Sequence, residues 1–393
     1  MQVIVLAAGR GTRMRPLTEN VPKPMLPVGS VPMVERVAEA AVDAGAERLV
    51  FVVGYEQASV REHFGSRYEG VPVTHVEQDA LLGTADAARA AADHVDGQFA
   101  VLNGDNVYDA ESLGRLFDSG PGIGASRVDT PSNYGVLRTR GDAVEGIVEK
   151  PSDPPSDLVN AGAYVFPADA TALLDVSKSE RGEFELTDVV NRVIDDRAVS
   201  FVEFDRWSDI GRPWELLEAT ATELERQPRR LDGSVHREAT VSGNVVVEPG
   251  ASVKRGVTIE GPVRIGAGST VGPNAYLRGA TYLGADVRVG SGVEIKNSVL
   301  MAGTAVPHLS YVGDSVLGRD VNLGAGTNVA NLRHDREPVK HTVKGDRVST
   351  GRRKFGAVIG DGARTGINTS LDPGVTVSAG ATTLPGERVS RDK

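Results

Sequence analysis

The carboxy-terminal part of this 393-residue chain repeats with a period of six. Apolar residues stand at Val241, Val247, Val253, Ile259, Ile265, Val271, Leu277, Leu283, Val289, Ile295 and Met301. Glycine or small residues fill the turns between them, as in Ile265-Gly266-Ala267-Gly268 and Leu283-Gly284-Ala285-Asp286. Eleven positions in strict phase specify a β-helix, in which each hexad supplies one short strand and a turn. The next apolar series, Tyr311, Leu317, Leu323 and Val329, requires four extra residues after Met301, and His308 lies inside that slip. A second interruption spans about 330–352 and is rich in Arg, Lys, His and Asp; phase resumes at Ile359, Leu371 and Val377. Interruptions of a solenoid map to one face and often form its binding site.

Up to about residue 226 the pattern differs. Residues 33–44 are amphipathic and stop at Gly45, 84–94 are alanine-rich and helical, and 49–53 and 99–102 are apolar strands. The alternation predicts a βαβ layered domain with a mainly parallel sheet, which binds ligands beyond the carboxyl ends of its strands. A chain this long exceeds one core. The expected division is an α/β, Rossmann-like domain over 1–226, a linker over 227–235 after a helix at 213–226, and a β-helix over 236–393.

One loop carries the chemistry of the first domain. After the apolar run 3–6 comes Leu6-Ala7-Ala8-Gly9-Arg10-Gly11-Thr12-Arg13-Met14-Arg15-Pro16-Leu17-Thr18, with Pro22-Lys23-Pro24 close behind. A glycine-rich turn after a strand aims backbone N–H groups at an anion, and Arg13 and Lys23 add positive charge. This suits a nucleoside triphosphate. Met14 stands where the dinucleotide fingerprint needs its third glycine, and no GxxxxGK[ST] occurs. Asn103-Gly104-Asp105-Asn106 also follows a strand, and Asp105 is the best candidate for holding a metal ion.

The whole loop, down to Pro-Lys-Pro, resembles the sugar-1-phosphate nucleotidylyltransferases over roughly residues 1–226. The resemblance implies attack of a sugar-phosphate oxygen on the α-phosphorus of an NTP, with pyrophosphate leaving and Mg²⁺ assisting. Leu6, Ala8, Gly9, Gly11 and Thr12 would form the nucleotide loop. Arg13 would contact the triphosphate, and Lys23 the phosphates of both substrates. Asp209, in Ser208-Asp209-Ile210-Gly211, resembles the family's second metal aspartate. Gln78 with Gly83 and Thr84 resembles the segment that reads the nucleobase edge. Gly135, Glu149, Lys150 and Asn160 resemble the sugar-phosphate-binding positions.

The hexapeptide half is similar to proteins whose β-helix is left-handed, triangular and trimeric, so a homotrimer is expected. The stretch from Arg278 through Glu294 and Lys296 to Pro307-His308-Leu309-Ser310-Tyr311-Val312-Gly313-Asp314 resembles the acetyltransferase site of the bacterial bifunctional enzymes of UDP-N-acetylglucosamine synthesis, and continues through Asn322 to Asn331. By that resemblance acetyl-CoA is the co-substrate and His308 the base that takes the amine proton. Tyr311 and Asn322 hold the amino sugar, Arg278 and Lys296 contact its phosphate, and Asn331 lies near the acetyl or sugar group. Leu332 stands where the bacterial enzymes have an aromatic residue, and they pair their metal aspartate with asparagine rather than with a counterpart of Asp209. The insert with Lys340, Lys344, Arg352, Arg353 and Lys354 is closer to the archaeal branch. It fits a loop that steers the phosphates of coenzyme A and equally a solvated one.

Composition narrows the rest. There is no cysteine, hence no disulfide or Cys-ligated metal. A net charge of −10 disfavours nucleic-acid partners. No apolar run approaches the ~18 residues of a membrane span, and Met1 leads straight into a strand. A soluble, cytoplasmic enzyme with small-molecule substrates is expected. Its rivals are a monofunctional glucose-1-phosphate thymidylyl- or uridylyltransferase with a structural β-helix, and a non-catalytic regulatory homologue. Gln78 does not separate UTP from dTTP.

Overall fold

The computed structural model describes residues 1–179 and 182–393. They form two compact units: Met1–Arg10, Pro22–Met25 and Pro32–Asp209 make one, and Gly11–Val21, Leu26–Val31 and Ile210–Lys393 the other.

The first unit is built on a ten-stranded sheet. Strands β1 (Gln2–Leu6), β2 (Arg48–Val53), β3 (Val71–Glu77) and β4 (Phe99–Asn103) run parallel in the order β3-β2-β1-β4. Val3, Ile4, Val5 and all of Leu49 to Val53 are buried, the continuous apolar pattern of strands covered on both faces. Helix α1 (Met33–Asp43) buries Met33, Val34, Val37, Ala38 and Ala41, one stripe at helical spacing. The expected helix over 84–94 is shorter: α2 (Thr84–Ala90) gives way to a tight turn over Ala92–His94 closed by the bond from His94 N to Ala91 O at 3.0 Å. Strand β5 (Asn106–Tyr108) follows β4, and Asp109 then caps helix α3 (Ala110–Asp118) by accepting from Ser112 N at 2.8 Å. Strand β6 (Leu158–Phe166) lies antiparallel beside β4, so the sheet is mixed from there on.

At the carboxyl edge the expectation holds. Leu6 and Asn103 are register partners, and Gly104 N donates to Leu6 O at 2.9 Å. The loop after β1 and the turn bearing Asp105 therefore leave the sheet side by side.

The second unit is a coil of parallel strands in three sheets, as a left-handed β-helix of hexapeptide repeats requires. Val247, Ile265, Leu283, Leu300, Leu317, Ile359 and Val377 stack along one sheet, and Val241, Ile259, Leu277, Ile295, Val312, Val329, Leu371 and Val389 along another. Nearly all are completely buried in one continuous core. The phase slip differs from the sequence expectation. Leu283 pairs with Leu300 and Leu300 with Leu317, so each of these coils is one residue short, at the corners after Ile295 and after Val312. The inward residues are Leu300, Val306 and Val312, and Tyr311 stands on the outer face. His308 follows Val306 at an ordinary corner, outside the slip. A shortened corner shifts the apolar phase by one residue, which mimics a four-residue insertion when Met301 and Tyr311 are read as inward.

The stretch expected as a linker, 227–235, already carries strands: Arg230–Leu231 pairs with Val246–Val247, and Ser234–Val235 with Ser252–Val253. They cover an edge that the first repeats would otherwise leave open. Helix α4 (Pro213–Arg226), opened by proline at its first position, belongs to this unit. The second interruption is an antiparallel hairpin, Lys340–Val343 with Asp346–Ser349. It buries His341 edge-on against Trp214 and Phe355, with ring centroids 5.9 and 5.6 Å away.

Candidate active sites

In the first unit the acidic pair comes together through a small sheet. Strand β7 (Trp207–Asp209) runs antiparallel to β5, and Asp209 faces Asn106, the residue after Asp105. Lys23, buried to 5 % exposure, forms an ion pair with Asp105. The Tyr108 phenol is pushed well above its usual range by burial first, then by the charge of Asp105, with Asp209 adding to it. It stays protonated and donates to Gly162 O at 2.8 Å. Asn106 Nδ2 and Trp207 Nε1 both donate to Ala161 O at 2.9 Å, fixing the neighbouring loop to the same sheet. A negative, oxygen-rich site with one buried ammonium results.

Most of the other residues predicted for this site belong to the same unit. Ala8 packs against Gly54, where a Cβ would stand 3.1 Å from it, and the exposed Gly9 follows. Gln78 Nε2 donates to Gly83 O at 3.3 Å and to Asp86 Oδ2 at 2.7 Å. Gly83 is in a left-handed conformation (φ 131) and lies so close to the Phe184 backbone that no side chain fits. Thr84 Oγ1 accepts from Leu186 N at 3.0 Å. Gly135 is register partner to Glu149, and Lys150 lies 3.7 Å from the same carboxylate. Asn160 is engaged internally: its Oδ1 accepts from Gly162 N at 2.9 Å and its Nδ2 donates to Tyr164 OH at 2.7 Å. Gly11, Thr12 and Arg13 belong to the second unit. There Gly11 O accepts from Thr18 Oγ1 at 2.9 Å, and the Arg13 guanidinium lies against Gly211, 3.1 Å from where a Cβ would stand.

The second cluster lies on one outer face of the β-helix. Leu277, Ile295 and Val312 point inward, so their neighbours Arg278, Glu294, Lys296 and Tyr311 point outward. Arg278 pairs with Glu294 at 2.7 Å, and Lys296 with Asp314 at 3.1 Å. Asp314 is buried and also accepts from Asn297 at 2.7 Å and Asn331 at 2.5 Å. Asn331 Nδ2 reaches Tyr311 OH at 3.1 Å. Partial burial, then the charges of Asp314 and Glu294, raise the Tyr311 phenol above its usual range. Gly313 leaves room for this network, because a Cβ there would run into Tyr311 OH and Asn331 Nδ2. His308 ends the strand Ala305–His308 on the adjoining sheet, where Asn322 pairs with Ala305. It is exposed, and its ring has no hydrogen bond or ion pair among the described residues. Lys340 is exposed on the inserted hairpin.

Sequence reasoning assigned no role to Asp314, Asp86, Tyr108 or Trp207. Asp314 alone left a signal, as the last residue of the stretch that resembles the acetyltransferase site.

A sequence profile described as "Nucleotidyl transferase" matches residues 2–226, and one described as "GMPPB C-terminal domain" matches 259–355. The "Bifunctional sugar-1-phosphate nucleotidylyltransferase/acetyltransferase" of Sulfurisphaera tokodaii is 39 % identical over 100 % of this chain and 98 % of its own length. This chain belongs to that bifunctional family. A second member, the "Bifunctional protein GlmU" of Methanococcus vannielii, is 40 % identical over 96 % of this chain and 92 % of its own. The amino-terminal half is also similar to the "UTP--glucose-1-phosphate uridylyltransferase AglF" of Haloferax volcanii, 39 % identical over 56 % of this chain and 95 % of that one. A solved "UDP-glucose pyrophosphorylase from acinetobacter baumanii" is 26 % identical, covers 57 % of this chain and 94 % of its own, and has a TM-score of 0.52. The nucleotidyl transferase profile covers the α/β half, and the match to the relatives named as bifunctional runs on through the β-helical half. No helix among the described residues is long and apolar enough to cross a membrane.

Proposed function

We propose that the chain acetylates glucosamine-1-phosphate with acetyl-CoA and transfers a uridylyl group from UTP to the resulting N-acetylglucosamine-1-phosphate, releasing UDP-N-acetylglucosamine and pyrophosphate. The observation that carries this reading is the match along the whole chain to a relative named for both activities. In acetyl transfer, His308 accepts a proton as the amine nitrogen attacks the thioester carbonyl and coenzyme A leaves as the thiol. An exposed imidazole with no partner of its own suits that role. Arg278 and Lys296 present two positive heads to the sugar phosphate, and Tyr311 and Asn331 offer hydrogen bonds to the sugar.

In uridylyl transfer, a sugar-phosphate oxygen attacks the α-phosphorus and pyrophosphate leaves. Lys23 holds phosphate oxygens, and Arg13 contacts the triphosphate. Asp105 and Asp209 fit a Mg²⁺ ion, which takes one or two carboxylates plus substrate phosphates; bound there it supplies charge neutralisation on the transferring group. The protein acts in the cytoplasm as a homotrimer assembled through the β-helix, where a long regular solenoid offers repeat faces to neighbours.

The similarity to a glucose-1-phosphate uridylyltransferase favours glucose-1-phosphate as a second substrate of the same site. The test is mass-spectrometric analysis of products from glucosamine-1-phosphate, acetyl-CoA, UTP and Mg²⁺. The expected product is UDP-N-acetylglucosamine. UDP-sugars formed only from glucose-1-phosphate, with acetyl-CoA unconsumed, would instead mark a monofunctional enzyme with a structural β-helix.

A further inference from the structure

Asp86 is a buried carboxylate that the proposed reaction does not use. It sits in the first turn of α2 and is ion-paired with Arg89 through one oxygen at 2.5 Å. Its other oxygen accepts from Gln78 Nε2 at 2.7 Å, and Gly83 O accepts from the same nitrogen at 3.3 Å. A carboxylate held by arginine and a backbone carbonyl are acceptors only, so the nitrogen end of the amide must face them. Amide orientation is fixed by hydrogen-bond partners, and here both partners agree. The two hydrogens of Nε2 are thereby occupied. Oε1 remains, with no partner among the described residues.

We infer that Asp86 sets nucleobase selectivity by locking Gln78 with its carbonyl oxygen toward the base. The inference rests on the reading of Gln78 as the residue that meets the base edge. Uracil and thymine carry N–H at N3, whereas cytosine carries a lone pair there. Guanine carries N–H at N1, and adenine a lone pair. A fixed acceptor therefore admits UTP and dTTP and refuses CTP and ATP, because acceptor would face acceptor away from water. It leaves UTP and dTTP undistinguished, since their C5 substituent is elsewhere on the ring. GTP must be refused by size. Released from Asp86, the amide can turn its N–H to cytosine or its oxygen to uracil.

The test is kcat/KM for UTP, CTP and GTP in pyrophosphate release with N-acetylglucosamine-1-phosphate. The proteins are the wild type, Asp86→Ala, Gln78→Ala and their double variant. Asp86→Ala should raise the CTP-to-UTP ratio by about tenfold or more and leave the GTP-to-UTP ratio unchanged. In the Gln78→Ala background the same change should move neither ratio, because Asp86 acts only through Gln78. The isosteric Asp86→Asn preserves the packing. Its amide oxygen stays with Arg89 and its nitrogen turns to Gln78, so the ratio should move the same way. Calorimetric binding of UTP and CTP gives the ratio for any variant too slow to assay. A uniform loss for all three nucleotides, or a ratio shift that persists without Gln78, overturns the assignment. A wild type that releases no pyrophosphate from UTP defeats the nucleotidylyl-transfer reading itself; an active wild type whose variants keep its ratio defeats only the role of Asp86.

Discussion

The two halves of the molecule assemble their candidate sites by opposite means. In the amino-terminal unit the chemistry sits where the chain leaves strands, and Lys23, Gln78, Asp105 and Asp209 come from segments far apart in sequence. In the β-helix it sits on the strands themselves, and Arg278 and Lys296 occupy the same place on successive coils. A sheet gathers side chains by topology; a solenoid gathers them by period. The first kind of site therefore depends on packed loops and buried ion pairs, and the second on the regularity of a coil that tolerates a change on its surface.

That contrast can be broken by single substitutions. His308→Ala removes a proton acceptor from an exposed coil position and should lower acetyl transfer roughly 10²–10⁴-fold, with pyrophosphate release and unfolding temperature unchanged. Thiol release from acetyl-CoA checks it. Asp105→Asn should lower pyrophosphate release by about 10²–10³-fold and leave thiol release alone. Loss of both activities from either variant would mean that the two sites are coupled.

Asp314 marks where the coil is as demanding as the sheet. Asp314→Ala strands the Lys296 ammonium, whose side chain is only 16 % exposed, and should cost about 3–5 kcal/mol of stability. Denaturant unfolding would show it; a change below about 1 kcal/mol would mean that the network is ornamental.

The smallest expected effect is a pH slope. Burial holds the His341 imidazole below its ordinary value of 6.5, with Arg347 adding to the shift while Gly374 O and Asp392 oppose it. The folded protein keeps this ring neutral while the unfolded chain protonates. Stability is then whole above about pH 6.5 and falls as pH drops, by at most about 1.4 kcal/mol per pH unit. His341→Phe should flatten that slope, and Gly374 O would still accept from Arg347. Identical slopes in both proteins would contradict the assignment.

Much of the β-helix was legible because its signal is local. Each inward residue announces itself six residues from the last, and Val247, Ile265 and Leu283 are where the period puts them. The reading failed where the coil loses single residues, since one-residue deletions at two corners and a four-residue insertion look alike until pairing is known. Tyr311 was consequently placed inward although its neighbour Val312 fills that position. In the sheet, β1, β2 and β4 were legible as apolar runs, and the Asp105 turn as a strand end. The ion pair of Lys23 with Asp105 and the pairing of Asp209 with Asn106 were not, because they are made by residues about eighty and a hundred positions apart. The hydrogen bonds of the Asn160 amide with Gly162 and Tyr164 were not legible either, since they depend on how strand β6 bends at that point.

The central claim is that one chain carries two independent chemistries, one in each kind of site. The most direct measurement is complementation between the two inactivated proteins. His308→Ala and Asp105→Asn, each alone, should make almost no UDP-N-acetylglucosamine from glucosamine-1-phosphate, acetyl-CoA and UTP. Their equimolar mixture should make it at a rate within about a factor of two of the wild type at matched active sites, since each supplies the step the other lacks. A mixture as inert as its components would contradict the claim.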